Sequence, residues 1–217
     1  NDTNKPFFDR AAQGRYSPAS TIKPAIGLFG IENNIIDWDY EIDDKGFFTL
    51  PEDGRIYRGW KKGGHGLINL KDAIIESSNT FFFSLAYDSE IDQLIEHLSY
   101  FGFGRNICTD CFLPDKGLLP DPTWKMNNLN FGWFKGDTVN LGVGQGYLSA
   151  TPLQLAYYSA LLANKGELNR FSFVQNSKDT KKDIFNSSNI KDEDWINIHE
   201  SMIGVIENPK GTARRLK

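Results

Sequence analysis

Ser20 and Lys23 stand three residues apart in Tyr16-Ser17-Pro18-Ala19-Ser20-Thr21-Ile22-Lys23, ahead of the apolar run Pro24-Ala25-Ile26-Gly27-Leu28-Phe29. A serine hydroxyl is a weak nucleophile until a base takes its proton, and a lysine amine is a base only when neutral. On a helix, positions three apart share a face, so the Lys23 amine is expected to come back along that face to the Ser20 hydroxyl. Keeping the amine neutral near pH 7 means lowering its pKa by roughly 3 units, a cost of about 4 kcal/mol that burial or a second cation must impose. The apolar run predicts a helix buried in a core with its first turn at a cleft.

The spacing alone is weak, because two fixed residues in four arise about once by chance in a chain of this size. Ser188-Asn189-Ile190-Lys191 repeats it, but lies in a polar stretch before Asp192-Glu193-Asp194 and reads as a solvated loop and helix start. The bland alternative for Ser20 is a helix N-cap followed by an exposed lysine. Cys108 and Cys111 form a C-x-x-C compatible with a redox pair, half a zinc site or a short-loop disulfide. With His65, His97 and His199 all away from ligand spacing, two loop thiols or one disulfide is the plainer reading. The glycine-rich stretch Gly136 to Tyr147 lacks the full dinucleotide fingerprint and the P-loop lysine, and reads as a tight loop beside a cleft. Asp37, Asp39, Glu41, Asp43 and Asp44 lack the spacing of a calcium loop and read as a solvated acidic face. Arg55, Arg58, Lys61 and Lys62, interleaved with Tyr57 and Trp60, read as local salt bridges.

The elements that must position these residues follow from composition and periodicity. A chain of 217 residues, 40% hydrophobic, suits one globular domain with a sizeable core, and its net charge of -4 lacks the basic excess that nucleic-acid binding needs. No run approaches the roughly 20 apolar residues of a membrane span, and Asn1 to Lys5 has no signal-peptide character. Asn69 predicts the cap of a helix running towards Ser77, and Ser77-Ser78-Asn79 a break before the apolar segment Thr80 to Tyr87. Further helices are expected over Ile91 to Tyr100, from Thr151-Pro152 to near Gly166, and from Asp192, with Trp195, Ile198, Met202, Val205 and Ile206 facing the core. Asn33 to Gly66 reads as a long loop or hairpin with at most short strands.

Ser20-x-x-Lys23 followed by Ser77-x-Asn79 resembles the penicillin-recognising serine transpeptidases, whose motifs are S-x-x-K, S-x-[ND] and K-[ST]-G. Tyr57 to Gly66, Gly136-Asp137-Thr138, Gly144-Gln145-Gly146-Tyr147 and Ala150-Thr151-Pro152 make the chain similar to the elongation-type class B penicillin-binding proteins over nearly its whole length. The resemblance implies an α+β transpeptidase fold, of which this chain is the mostly helical part with an incomplete antiparallel sheet. It implies attack by Ser20 on the D-Ala-D-Ala carbonyl of a peptidoglycan stem peptide, acylation of the same serine by β-lactams, Lys23 as base, Ser77 as proton relay, and Asn79 as substrate holder. Membrane proteins of the elongation machinery are the implied partners, the periplasmic face of the bacterial inner membrane the implied location, and no cofactor is implied. A serine β-lactamase, a D,D-carboxypeptidase or a non-catalytic penicillin-binding scaffold are the alternatives.

Three departures carry further expectations. Ala19 stands where the family has glycine, tolerable if its φ stays negative. Some family members hold a zinc near the second motif with two Asp, a His and a Cys; Asp44 and His65 align with two of those ligands, but Gly59 and Ser78 occupy the other positions, so no metal is expected. The K-[ST]-G strand, membrane anchor and pedestal are absent: residues 1–217 read as a single partial transpeptidase domain ending just after Asn208-Pro209-Lys210-Gly211-Thr212-Ala213, expected neither to turn over substrate nor to fold well alone.

Overall fold

The structure, a computed structural model, describes residues 8–174 and 189–216 together with the backbone of 182–184. Ser188 of the second Ser-x-x-Lys and the stretch Asn1 to Lys5 lie outside the described residues. The chain opens with α1 (Arg10–Gln13), a 3-10 turn (Ala19–Ile22) and α2 (Lys23–Glu32). Four short strands follow, β1 (Glu41–Asp44), β2 (Phe47–Thr49), β3 (Ile56–Arg58) and β4 (Gly66–Asn69), then α3 (Leu70–Ile75), α4 (Asn79–Tyr87), α5 (Ile91–Tyr100), α6 (Pro122–Leu129), α7 (Lys135–Leu141) and α8 (Pro152–Ala163). Strands β5 (Glu167–Asn169) and β6 (Lys182–Ile184), α9 (Asp192–Glu207) and a 3-10 turn at Arg214–Leu216 complete it.

Helix α2 is the centre. Every residue from Lys23 to Gly30 is buried, so the helix shows no polar face, as a helix enclosed on all sides must. It packs against α4, α5 and α9, while α4 packs on α7 and α3 on α9. Ile26, Leu28, Phe29, Phe82, Leu94 and Leu98 are wholly shielded from solvent, each removed from water at a gain of about 1.5–3 kcal/mol. The antiparallel strands among the described residues form three separate pairs, β1 with β4, β2 with β3 and β5 with β6, which place Ile42 opposite Ile68 and Phe48 opposite Tyr57. The architecture is therefore α+β and mostly helical, and no helix among the described residues is long and apolar enough to cross a membrane.

The caps fall where the side chains dictate. Asn69 Oδ1 accepts the Asp72 N–H at 3.0 Å, Ser78 Oγ accepts the Phe81 N–H at 3.2 Å, and Thr151 and Gln154 cap each other reciprocally ahead of α8. Helix α3 stops at Ile75, short of Ser77, because Ser77 takes a left-handed φ of 53° that no α-helix continues through. The glycine-rich stretch is a loop only in its second half: Asp137 Oδ2 accepts the Phe134 N–H at 2.8 Å and caps α7, which takes up Gly136 to Leu141. Asp44 departs from the solvated acidic face, since it is 1% exposed and enclosed by hydrogen bonds from Gly46 and Ser78. Arg55 pairs with Asp53 and Lys61 with Glu76, both at 3.4 Å. Cys108 and Cys111 are joined as a disulfide. On α9, Trp195 and Ile198 enter the core, whereas Ile206 is exposed beside the cleft.

Candidate active site

Ser20 lies in the 3-10 turn with its side chain exposed, and Lys23, the first residue of α2, is 1% exposed. The Lys23 amine donates to the Ser77 carbonyl at 2.8 Å, to the Ser77 hydroxyl at 3.1 Å and to Asn79 Oδ1 at 2.8 Å, and stands over the Phe82 ring. Burial lowers its pKa from 10.5 to about 7, against an opposing pull from the Asp44 carboxylate, so a large share of the amine is neutral at neutral pH. The structure corrects the expected pairing: among the described residues no hydrogen bond joins Ser20 Oγ to Lys23 Nζ. The left-handed turn at Ser77 gathers its own carbonyl, its hydroxyl and the Asn79 amide oxygen around the amine, and three enclosed acceptors prevail over one hydroxyl open to water.

A second correction concerns Ala19, whose φ is +47° rather than negative. The loop after α7 explains it. Gly144 O accepts both the Ala19 N–H at 2.9 Å and the Ser17 hydroxyl at 2.6 Å, pulling the turn before Ser20 into the left-handed region. Gly144 itself has φ +70°, and a Cβ built on it would lie 2.2 Å from Ala19 O, so only glycine approaches this closely.

Ser20, Lys23 and Ser77 share the wall of a cavity of about 350 Å³ with Tyr158 and with Met202, Val205 and Ile206 of α9. Asn79 reaches it through the amine. Ser77 and Thr212 also border a larger recess of about 850 Å³ that Trp60, Lys61, Glu76 and Lys210 line. Thr212 N–H donates to Ile75 O at 3.4 Å and Lys210 Nζ lies 3.3 Å from Glu76 Oε1, which ties the segment after α9 to the turn between α3 and α4. The Tyr158 hydroxyl accepts the Ala25 N–H at 3.3 Å, and burial pushes its pKa far up, so the phenol stays neutral. Neither Tyr158 nor Thr212 stood out in the sequence as a site residue. Each reaches the cleft from a position remote from Ser20, and no local spacing signals such an approach.

Behind the Ser77–Asn79 turn lie Asp44, Gly59, His65 and Ser78, the four positions at which the resemblance raised the question of a zinc site, and they do not fit a metal. His65 Nδ1 and Asp44 Oδ2 are bonded directly to each other at 2.6 Å, which leaves His65 Nε2 open, but among the described residues His65, Asp44 and Glu76 form no group of three ligand atoms close enough to share an ion. Ser78 contributes a neutral hydroxyl that donates to Asp44 at 2.7 Å, and Gly59 contributes no side chain, with Gly46 O and Thr80 Oγ1 within 3.4 Å of where a Cβ would stand. The sole cluster of potential metal ligands among the described residues is Cys108, Asp110 and Cys111, where both sulfurs are already joined.

The chain matches the penicillin binding protein transpeptidase domain over residues 1–217. It is 40% identical over 226 residues to the peptidoglycan D,D-transpeptidase MrdA of Acinetobacter baumannii, covering 99% of this chain and 33% of that protein. The crystal structure of Pseudomonas aeruginosa PBP2 in complex with WCK 5153 superposes with a TM-score of 0.91 at 34% identity, covering 100% of this chain and 50% of that one. The Helicobacter pylori complex between PBP2 and MreC gives a TM-score of 0.86 at 31% identity, covering 99% of this chain and 39% of that one. The chain thus spans about a third of the MrdA relative it matches. Motif order, the buried lysine held by the second motif and the match along the whole sequence converge: this chain belongs to the penicillin-binding protein transpeptidase domain family.

Proposed function

We propose that this chain carries the acyl-transfer site of a peptidoglycan D,D-transpeptidase acting in cell-wall elongation. Ser20 Oγ attacks the carbonyl carbon of the penultimate D-Ala in a stem peptide, and its proton passes to the neutral Lys23 amine. As the tetrahedral intermediate collapses, the Ser77 hydroxyl relays a proton to the departing D-Ala amine, leaving an ester on Ser20. The amine of a neighbouring strand then attacks that ester, and the proton it loses returns through the same groups to Ser20. The Asn79 amide orients the peptide backbone while holding Lys23. The Ser20 N–H lies in the first turn of a 3-10 segment, where backbone donors lack a partner within the helix, and serves as one oxyanion donor.

The observation that carries this reading is the Lys23 amine, buried, with a pKa near 7, held by Ser77 and Asn79 at the cleft into which Ser20 opens. The names of the relatives support the substrate class and, as those of cell-wall synthesis enzymes, fit a periplasmic location, and the PBP2–MreC complex supports a partner in the elongation machinery. β-Lactams, as mimics of D-Ala-D-Ala, acylate the same serine. Mass spectrometry of the intact protein after penicillin treatment tests the proposal. A stable adduct on Ser20, lost in Ser20→Ala, is expected. No adduct would instead indicate a scaffold, and a rapidly hydrolysed one a β-lactamase.

A further inference from the structure

Ser77 is a non-glycine residue in the left-handed region, a conformation that persists only where surrounding contacts over-determine it. The contacts come from a strand and a hairpin distant in sequence. Asp44, at the end of β1, accepts the Gly46 N–H at 2.7 Å on one oxygen, and on the other receives the Ser78 hydroxyl at 2.7 Å and His65 Nδ1 at 2.6 Å. Ser78, wholly buried, accepts in turn the Phe81 N–H, so the residue between Ser77 and Asn79 is fixed both to Asp44 and to the first turn of α4. The same hairpin reaches the turn a second time: Trp60 Nε1 donates to the carbonyls of Glu76 and Ser77, each at 3.2 Å, and its ring packs edge-on against His65. His65 Nε2 is left buried without a hydrogen-bond partner, 3.9 Å from Glu76. An unpaired buried nitrogen lowers stability, so stability alone gives no account of this arrangement.

We propose that the knot of Asp44, Ser78 and His65, formed without a metal, holds Ser77 in its left-handed turn and presents Ser77 and Asn79 to Lys23, which makes Asp44 a positioning residue for acylation. The proposal rests on the transpeptidase reading above. Asp44 also acts through its charge. Burial opposes its ionisation, but the hydrogen bonds from Ser78, His65 and Gly46 hold its carboxyl below the usual range, and the resulting anion raises the Lys23 pKa against burial. Other ionisable groups on elements around α2 include Glu76 after α3, His97 of α5 paired with Glu32, Tyr158 of α8, and Asp194 and His199 of α9, which bond to Trp38 and to the Leu162 carbonyl, while α9 turns the apolar Met202, Val205 and Ile206 to the cavity that Lys23 lines. Asp44 is the charged group whose field reaches the amine.

The test is the rate of fluorescent-penicillin acylation against pH in the intact protein, for wild type, Asp44→Asn and Ser78→Ala, with and without a chelator and added zinc. Asp44→Asn keeps shape and removes charge. It is expected to slow acylation by about 10–100-fold and to move the acid limb of the profile to lower pH. Ser78→Ala leaves the carboxylate in place and is expected to slow the reaction about 10-fold with the limb unmoved. Chelator and zinc are expected to leave the wild-type rate unchanged. A wild-type rate in Asp44→Asn, a slower rate with its limb unmoved, or loss of wild-type acylation to the chelator overturns the proposal. Should Asp44→Asn fail to fold, Ser78→Ala decides: a folded variant acylating at the wild-type rate overturns it, and one about 10-fold slower upholds it. Failure of the transpeptidase reading itself is distinct, for the wild type then gains no adduct at all.

Discussion

Burial of Lys23 makes its amine a base near pH 7 and makes the folded protein sensitive to pH. In the folded state the pKa is about 7, below the 10.5 of an exposed lysine. Between those values the unfolded chain binds a proton that the folded one does not, so this residue's contribution to stability rises with pH across that window, by up to about 5 kcal/mol, and is lowest at and below pH 7. Lys23→Met removes the titrating group. Its unfolding free energy, measured in urea from pH 7 to 10, is expected to rise less steeply than that of wild type, while its acylation rate falls by about 10²–10⁴. Parallel slopes would show that the amine is charged throughout. Ala19 offers a second test. Its left-handed φ costs about 1–2 kcal/mol, whereas glycine there costs roughly 0.5–1 kcal/mol in unfolded-state entropy. Ala19→Gly is therefore expected to stabilise the protein by about 0.5–1 kcal/mol in the same titration, with acylation retained.

The elements divide by how locally they are specified. Helices α4, α5, α8 and α9 were legible from the sequence because their caps and apolar periodicity lie within each segment: Ser78, Thr151 with Pro152, and the stripe containing Trp195 and Ile198. Helix α7 was not, because its start depends on Asp137 folding back onto the Phe134 N–H in a stretch whose glycines argue for a loop. The burial of Asp44 was not legible either, since its partners Ser78 and His65 come from separate parts of the chain. The loop after α7 has a consequence that its glycines only hinted at. By accepting the Ala19 N–H and the Ser17 hydroxyl, Gly144 O fixes the turn that carries Ser20. Gly144→Ala would place a methyl 2.2 Å from Ala19 O, and relief requires the turn to move by about an ångström. Displacement on that scale is expected to reduce penicillin acylation by about 10²-fold even where circular dichroism shows the helices intact, and an unchanged rate would mean that the nucleophile is positioned from elsewhere.

At the scale of the whole molecule, the cleft is assembled from four distant stretches, and two were readable because each is a compact signature: Ser20 with Lys23, and Ser77 with Asn79. The other two, Tyr158 with Ser159 of α8 and α9 with Thr212 and Ala213, carry no local signature and become visible only when α8 and α9 pack against the rest of the fold. Farther from the cleft, the Cys108–Cys111 disulfide raises the question of what holds the loop it closes. Asp110, between the two cysteines, accepts the Phe173 N–H at 2.9 Å, the Val174 N–H at 2.7 Å and the Ser172 hydroxyl at 2.7 Å, while Thr109 and Phe171 exchange further backbone bonds with Phe171 and Ile107. Those hydrogen bonds hold Asp110 below the usual carboxylate range, so the anion persists into mild acid. A bridge spanning a sequence separation of 3 closes a very short loop and constrains the unfolded chain by only about 2 kcal/mol. Replacing both cysteines by serine is therefore expected to lower the unfolding free energy by no more than about 2 kcal/mol and to leave the penicillin acylation rate at the wild-type value, because the hydrogen bonds of Asp110 keep the loop against residues 171–174. A larger loss of stability, or a fall in acylation, would show that the disulfide rather than the carboxylate organises this end of the molecule.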